Sequence, residues 1–284
     1  MVIREACAKA AQALQKAGVE SSLFEARQLV QGILNISPEQ LLQGDISLSQ
    51  EQEEQLSLWV ERRISGYPLQ YLLGEWEFFG LPFYVGEGVL IPRQDTETLC
   101  EQALSFLKGK REQKVIDLCS GSGCIAVAID HYAPGNQVYA LEKSLDAITY
   151  LKRNIARNQS QVIPVENDVL DPIPELTGFD LIVSNPPYLN QEEMESLQTE
   201  VTFEPEMALY ADHDGYDFYE QITRIWKSRL NPGGMLAYEV GWRQAQKVME
   251  ILEENGMEQV QAIPDLCGVL RVVTGISPKT VANT

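Results

Sequence analysis

The sequence predicts an α/β protein, a mostly parallel sheet covered by helices on both faces, preceded by a small helical bundle. Beyond Lys114, short apolar runs rich in β-branched residues alternate with amphipathic helical stretches, the order that yields parallel strands joined by helical crossovers. Over the first ~65 residues, apolar positions instead recur at helical spacing with short connections. Between the two, from Gly66 to Pro92, the texture changes to aromatics, glycines and prolines, which reads as a bridge.

In the bundle, Ile3, Ala6, Cys7, Ala10 and Leu14 form one face of a helix that Gly18 ends. Ser37-Pro38-Glu39-Gln40 and Ser49-Gln50-Glu51-Gln52 both have capping-box order, the first with proline at the first helical position. The second opens a helix through Leu56, Trp59, Val60 and Arg63 that runs out at Gly66. Trp76, Phe78, Phe83 and Val85 alternate about Gly80-Leu81-Pro82, a two-stranded hairpin. After Asp95-Thr96-Glu97 comes a helix that buries Leu99, Ala103, Leu104 and Leu107. Strands are expected at 115–118, 138–141, 162–165, 181–183 and 235–240, with two more near 260–263 and 270–274. Helices are expected near 125–132, 145–158, 216–230 and 243–255. The last two strands have no convincing helix between them and read as an antiparallel hairpin at the sheet edge, after which the tail beyond Ile276 is expected to fray. The resulting organisation is a helical domain over 1–73, a hairpin linker over 74–92 and a second domain over 93–284.

With 284 residues the chain can build one large or two smaller domains. Its formal charge of −19 argues against a protein that grips a nucleic-acid backbone by itself, and suits a basic protein partner. No apolar run approaches the ~20 residues of a membrane span, and Met1-Val2-Ile3-Arg4-Glu5 lacks a secretory-signal layout, so a cytoplasmic protein, working as a monomer, is expected. Five cysteines (Cys7, Cys100, Cys119, Cys124, Cys267) contain no Cys-x-x-Cys pair, and His131 and His213 are the only histidines; neither a disulfide framework nor a metal centre is expected.

The most specific stretch is Phe179-Asp180-Leu181-Ile182-Val183-Ser184-Asn185-Pro186-Pro187-Tyr188. A buried strand is stopped by two prolines, neither of which can donate to a sheet ladder. The Asn185 side-chain carbonyl and the backbone carbonyl next to it are thereby left as two acceptors facing one way, a holder for an NH2 group, with the Tyr188 ring free to stack on its plane. A plain strand-to-loop turn accounts for a lone Asn-Pro; four such residues directly after a buried strand point to function.

A second constellation follows the first strand of the sheet. Asp117-Leu118-Cys119-Ser120-Gly121-Ser122-Gly123 places small residues where strand hands over to helix, so that a ligand can lie against backbone amides. It departs from Gly-x-Gly-x-x-Gly and has no Walker lysine. Glu142, 19 residues after Gly123, ends the second strand, where an acid can accept from both ribose hydroxyls. After the third strand, Asp168 can accept from an adenine amine and Val169 can pack on the ring, although Asn167-Asp168 is also a plain turn. An adenosine pocket beside an amine holder, with no catalytic acid or base near the fourth strand, fits S-adenosyl-L-methionine, whose sulfonium methyl needs only an oriented nitrogen.

These motifs resemble the class I methyltransferases of the protein-(glutamine-N5) type, the HemK/PrmC family. The resemblance rests on Asp117-Leu118-x-x-Gly121-Ser122-Gly123, on Ile182 to Tyr188, and on Val201-x-Phe203-Glu204-Pro205-x-x-Ala208-Leu209 with Asp214-Gly215. Gly66-x-Pro68-Leu69-Gln70-Tyr71 and Leu90-Ile91-Pro92-Arg93-x-x-Thr96-Glu97 separate it from DNA amino-methyltransferases that share only Asn-Pro-Pro-Tyr. The similarity spans roughly residues 60–275. It implies a seven-stranded class I methyltransferase (Rossmann-like) sheet and transfer of a methyl group to the glutamine amide of the release factor's Gly-Gly-Gln loop. It also implies that Asn185 and the Pro186 backbone receive the amide hydrogens, that Pro187 and Tyr188 shape the slot, and that Cys119, Ser120, Gly121, Ser122, Gly123, Glu142, Asp168, Val169 and Asn185 hold the cofactor. Cys119 stands where the family has its first glycine, Gln94-Asp95 where it has Pro-Glu, and Glu142 where aspartate is commoner.

Two rival functions share part of this pattern. An N6-adenine DNA or RNA methyltransferase could use the same holder, but the chain shows no basic stripe. A non-catalytic S-adenosylmethionine-binding scaffold would have no use for an intact Asn185-to-Tyr188 slot. The acid-rich stretch 189–214 is long for a compact domain and either borders the slot or is a solvated loop. If the N-terminal bundle docks the release factor, removing residues 1–60 will weaken apparent affinity for it in a titration against the full chain.

Overall fold

The computed structural model describes residues 1–43, 46–171 and 173–279. The chain divides into two units, Met1–Glu75 with Leu197–Phe203, and Trp76–Ser196 with Glu204–Thr284.

The first unit is helical: α1 (Ile3–Lys16), α2 (Ser22–Leu34), α3 (Pro38–Gln43), α4 (Gln50–Ile64) and α5 (Leu69–Leu73). The face that α1 buries is the predicted one, Ile3, Ala6, Cys7, Ala10 and Leu14. Both capping boxes form. The Ser49 hydroxyl accepts from Gln52 N at 3.2 Å while Gln52 Oε1 accepts from Ser49 N at 2.9 Å, and Ser37 and Gln40 make the same reciprocal pair. On α4, Trp59 is half-buried whereas Arg63 is only 5% exposed. The Arg63 guanidinium is bidentate on the buried Glu25 of α2, at 2.5 and 3.2 Å, and also bonds Glu200. Pairing is what lets the charge sit inside. Glu200 lies in the returning segment Leu197–Phe203, where Phe203 meets Tyr67 edge-on at 5.3 Å. Gly66, at φ +93°, faces Thr199 so closely that an added Cβ would come within 2.5 Å of its Cγ2. The stretch expected as one loop over 189–214 is thus divided, its middle belonging to the helical unit.

The second unit begins with a hairpin, β1 (Glu75–Phe78) and β2 (Leu81–Tyr84), and continues with α6 (Glu97–Leu107), β3 (Lys114–Leu118), α7 (Cys124–Tyr132), β4 (Gln137–Glu142), α8 (Leu145–Arg157), β5 (Ile163–Glu166) and β6 (Phe179–Ser184). Then come α9 (Gln191–Glu195), the kinked turn α10 (Asp212–Gly215), α11 (Asp217–Trp226), β7 (Leu230–Glu239), α12 (Ala245–Glu254), β8 (Glu258–Pro264) and β9 (Leu270–Ile276). Phe79 and Gly80 join the hairpin with φ of 52° and 75°, the signature of a type I′ turn. Phe79 tolerates this because Glu97 accepts from its N at 3.0 Å and the Tyr132 hydroxyl donates to its carbonyl at 2.9 Å. The hairpin expected as a linker over 74–92 groups with this unit from Trp76 onward. Asn154, buried on α8, fastens it: Oδ1 accepts from Tyr84 N at 2.7 Å, and Nδ2 donates to Tyr84 O and to Ser122 O, the latter in the loop after β3.

The seven-stranded sheet runs β5-β4-β3-β6-β7-β9-β8, parallel through β7, with β9 antiparallel to both its neighbours. Side chains alternate as the period of two requires. Val115, Leu181, Val183 and Ala237 face α6, α7 and α8, while Ile116, Leu118, Ile182, Leu236 and Tyr238 face α11 and α12. The chain order reverses between β3 and β6, and ligands of such sheets bind beyond the strand ends at that point. Leu118 is level with both Leu141 and Ser184, so the loops after β3, β4 and β6 begin at one edge.

Three boundaries differ from expectation. The helix predicted over 216–230 ends at Trp226 in a 3-10 turn, Lys227–Arg229, and β7 starts at Leu230, five residues earlier than predicted. Its first part is a bulge through Asn231-Pro232-Gly233-Gly234, kept in register by Gly233 N to Ser277 O at 3.0 Å and Ser277 N to Gly234 O at 2.8 Å. Ser277 is therefore still paired; the expected fraying beyond Lys279 lies outside the described residues. The final hairpin forms, but β9 sits inside and β8 alone is the edge. No described helix is long and apolar enough to cross a membrane.

Arg63→Ala leaves Glu25 buried without its partner, and should cost about 3–5 kcal/mol in urea unfolding. Arg63→Met combined with Glu25→Leu, which removes both charges, should recover most of that loss.

Candidate active site

Beyond the ends of β3, β4, β5 and β6 lies a cavity of about 270 Å³. Its walls come from 119–122, 142–144, 167–170, Asn185 and Pro187, and it is closed over by 88–93, Thr96, Pro205, Met207 and Tyr210.

The loop after β3 is built on Asp117. This carboxylate is fully buried; Oδ2 accepts from the Ser120 hydroxyl at 2.6 Å, and Oδ1 has no partner. Burial pushes its pKa up to about 7 against the opposing pull of Ser120. Cys119 takes φ +59°, a left-handed conformation that costs a side-chain-bearing residue about 1–2 kcal/mol, which is the physical reason a glycine suits this position. The turn is held by Ser120 N on Leu141 O at 3.0 Å and Gly123 N on Ser120 O at 2.8 Å. Burial, reinforced by Glu142 and Asp117, raises the Cys119 thiol far above its ordinary value, so it stays neutral. An added Cβ on Gly121 would meet nothing within 4 Å, whereas one on Gly123, at φ +81°, would run into Leu151 of α8. Of the five loop residues singled out in the sequence, Cys119, Ser120, Gly121 and Ser122 line the cavity; Gly123 lies behind it and allows the helix to pack.

Glu142 is buried at the end of β4 and already heavily bonded. Oε1 accepts from Lys143 N and Ser144 N at 2.8 and 2.7 Å, and Oε2 accepts from Gly121 N at 2.8 Å. These bonds orient the carboxylate and leave lone-pair capacity on Oε2. Asp168 pairs with Lys143 Nζ at 2.7 Å through Oδ2 and accepts from Leu170 N at 2.9 Å through Oδ1. Partial burial works to raise its carboxyl, but the lysine and the backbone donor outweigh that and hold it below the usual range. Val169 is buried and its carbonyl accepts from Trp226 Nε1 at 2.9 Å.

Asn185 sits just past the last paired residue of β6. Asn185 lines the cavity; its Nδ2 donates to the Thr96 hydroxyl at 3.4 Å, and among the described residues no hydrogen bond to Oδ1 is found. Pro187 lines the cavity; Pro186 and Tyr188 do not. Tyr188 is instead an anchor. Its N donates to Leu209 O at 3.1 Å, its carbonyl accepts from Gln244 Nε2 at 2.9 Å, and its ring lies against Gly241, where an added Cβ would approach Cδ2 to 2.9 Å. Gly215, at φ +87°, abuts the Tyr188 carbonyl so closely that any Cβ would overlap it.

Three residues had no assigned role in the sequence: Thr96 and Arg93, which line the cavity, and Glu204, which bonds Arg93 but does not line the cavity. Glu204 is 6% exposed, accepts from Ile91 N at 2.9 Å and bonds the Arg93 guanidinium. It joins two motifs, Leu90 to Arg93 and Glu204 to Leu209, that stand over a hundred residues apart. The signal was present as an acid before a proline, Glu204-Pro205, but nothing in one dimension says that this acid is buried while its neighbours Glu200 and Glu206 are not.

The comparisons agree with this geometry. A model of the PrmC N-terminal domain matches residues 5–74, and one of the methyltransferase small domain matches residues 96–208. The release factor glutamine methyltransferase of Geobacter sulfurreducens is 39% identical over 264 residues, covering 92% of each chain. That of Clostridium acetobutylicum is 35% identical over 281 residues, covering 97% of this chain and 99% of the other. That of Fusobacterium nucleatum is 35% identical over 272 residues, covering 93% and 76%. Among solved structures, the hMettl16 catalytic domain in complex with a MAT2A 3′UTR hairpin shares the fold at a TM-score of 0.57 and 18% identity, over 86% of this chain and 87% of that one. A methyltransferase from Pyrococcus furiosus does so at 0.51 and 18% identity, over 81% and 100%. By identity and coverage to the first three, this chain belongs to the release factor glutamine methyltransferase family.

Proposed function

We propose that this protein transfers a methyl group from S-adenosyl-L-methionine to the side-chain amide nitrogen of the glutamine in the Gly-Gly-Gln motif of peptide chain release factors. The observation that carries the reading is Asn185, which lines the strand-end cavity and whose side-chain oxygen takes no hydrogen bond from the described residues.

The residues of the cavity fit the cofactor. Gly121 opens the loop after β3 toward it, Glu142 Oε2 retains an acceptor position for a ribose hydroxyl, and Asp168, though paired with Lys143, has lone pairs left for an adenine amine. Lys143 is largely exposed, so it can swing aside at little cost. Val169 supplies an apolar floor. When bound, S-adenosyl-L-methionine supplies an electrophilic methyl on a sulfonium.

An amide nitrogen is a weak nucleophile because its lone pair is delocalised. Asn185 Oδ1, with the carbonyl of Pro186, which follows it in the chain but does not line the cavity, as the second acceptor, would take both N–H groups of the incoming glutamine and aim its nitrogen. As methylation places positive charge on that nitrogen, the same two oxygens stabilise it more strongly than they did the neutral amide. The proton can leave afterwards, so no dedicated base is required. Pro187 shapes the slot, and Tyr188 acts by holding the turn through Leu209 and Gln244. The helical unit and the net charge of −19 are suited to gripping a basic protein substrate in the cytoplasm.

Incubation with radiolabelled donor and a release factor, alongside a release factor with the loop glutamine replaced, tests the assignment: label should enter the first and not the second. Asn185→Ala should lower kcat by about 10²–10³-fold, with donor affinity by calorimetry changed little; normal methylation by this variant would remove the assignment. Gly215→Ala should also lower kcat, by about tenfold or more, because it displaces the Tyr188 carbonyl from the turn that carries Asn185.

A further inference from the structure

Two stretches of chain cover the cavity, 88–93 and the run from Pro205 to Tyr210. Residues 88–93 belong to no strand or helix, so no ladder holds their backbone and the bonds that fix it must come from elsewhere. At the start of this stretch Gly88 takes φ +93° and lies so near Asp146 of α8 that an added Cβ would come within 2.7 Å of the aspartate Cβ. Beyond its far end, the 3-10 turn Gln94–Thr96 brings the Thr96 hydroxyl to Asn185 Nδ2. The stretch thus crosses from the start of α8 to the end of β6, with both ends placed.

Its middle is held by Glu204. Oε2 accepts from Ile91 N at 2.9 Å, and Oε1 bonds the Arg93 guanidinium. The Glu204 side chain is 1% exposed and that of Arg93 38%, so the carboxylate sits inside and the guanidinium reaches out to it from the rim. A buried carboxylate that accepts from one charged and one backbone donor is a strong tie. The second stretch is fixed independently. Tyr188 N and Leu189 N both donate to Leu209 O, at 3.1 and 2.8 Å, and Ala211 N donates to Leu189 O at 2.9 Å, which binds it to the turn that carries Asn185. Glu204 stands at the head of this second stretch, directly before Pro205.

We infer that Glu204 is a positioning residue for cofactor binding: by holding Ile91 and Arg93 it fastens 88–93 to the stretch that begins at Pro205, so that the walls S-adenosyl-L-methionine meets are set before it binds. A wall ordered in advance costs the ligand nothing to order. Without the tie, part of the free energy of binding is consumed in fixing six residues of irregular backbone. Glutamine at this position would keep an oxygen for Ile91 N and lose the ion pair; leucine would lose both and leave the Ile91 N–H unpaired.

The inference rests on the cofactor reading and not on the identity of the methyl acceptor. Calorimetric titration of the full chain with S-adenosyl-L-methionine should give Glu204→Leu a Kd about 10- to 100-fold above the wild type, and Glu204→Gln one within about fivefold of it. In single-turnover methylation at saturating cofactor, Glu204→Leu should lose less than about threefold in rate, because the Asn185 turn is held separately through Leu209 and Gln244. A purely structural role would not give that split: unfolded molecules lower the amplitude of binding and leave the Kd of the rest alone. Independently of any ligand, the Ile91 amide should exchange its hydrogen at least about tenfold more slowly in the wild type and Glu204→Gln than in Glu204→Leu. Should the leucine variant fail to fold, Glu204→Asp takes its place; it keeps the charge but is one methylene too short to reach both partners, and should raise Kd about tenfold. A wild-type Ile91 amide that exchanges as if unprotected, or a Kd alike in the wild type and the folded variants that lack the tie, overturns the inference. If the wild type binds no S-adenosyl-L-methionine while Ile91 exchange follows the variants as described, the tie stands and the cofactor reading falls. If binding and exchange both behave as described and no label reaches a release factor, the inference stands and the substrate assignment alone falls.

Discussion

The site depends on how β6 ends. Ser184 is the last residue in register, level with Leu118 on one side and Tyr238 on the other, and its hydroxyl closes the strand by donating to Leu118 O at 2.7 Å. Pro186 and Pro187 have no N–H to offer a neighbouring strand, so pairing cannot continue. The chain must leave the sheet at Asn185, and it leaves at the point where strand order reverses, the one edge position with loops on both sides and no strand above. Every other feature of the cavity is arranged around that exit. The Tyr188 backbone is tied down by Leu209 and Gln244, Gly215 leaves room for its carbonyl, and Glu204 draws the 91–93 segment across the top.

A second theme is the use of buried acids as scaffolding. Asp117, Glu204 and Glu239 are all enclosed, and Glu142 is nearly so. Glu142 is stabilised by backbone donors, and Glu204 by the Ile91 backbone N–H together with the Arg93 guanidinium, and these bonds fix loop geometry. Asp117 and Glu239 each keep one oxygen without a partner and are pushed toward neutrality. Both lie at the carboxyl ends of central strands, where the enclosed volume that can receive a ligand is found. In a chain of net charge −19, most acids outside these positions are at the surface, Glu25 against Arg63 being an exception, and charge alone does not separate the two populations.

Cys119 and the loop after β3 show how a family pattern can be departed from. A left-handed residue is needed there by the turn from β3 into α7, and glycine supplies it without strain. This chain uses cysteine and holds it with two backbone hydrogen bonds and the Asp117–Ser120 pair, while keeping the thiol neutral. Gly123 cannot be exchanged in the same way, because the space a Cβ needs is filled by Leu151.

Periodicity and turn chemistry are local, so the sequence by itself determined the strand and helix order, the buried face of α1, both capping boxes, the closing hairpin and the stop of β6 at its prolines. It also carried the motifs that place the chain in its family. What it could not determine is which separated residues meet. That Tyr188 anchors the turn and does not line the cavity, that Gly123 packs on Leu151, and that Glu204 reaches Ile91 follow from strand register and loop closure. The division of 189–214 between two units and the burial of Arg63 against Glu25 and Glu200 are of the same kind. Burial converts an ordinary acid, arginine or threonine into part of a site, and burial is a property of the packed sheet and its loops, with no imprint on the residues nearby in the chain.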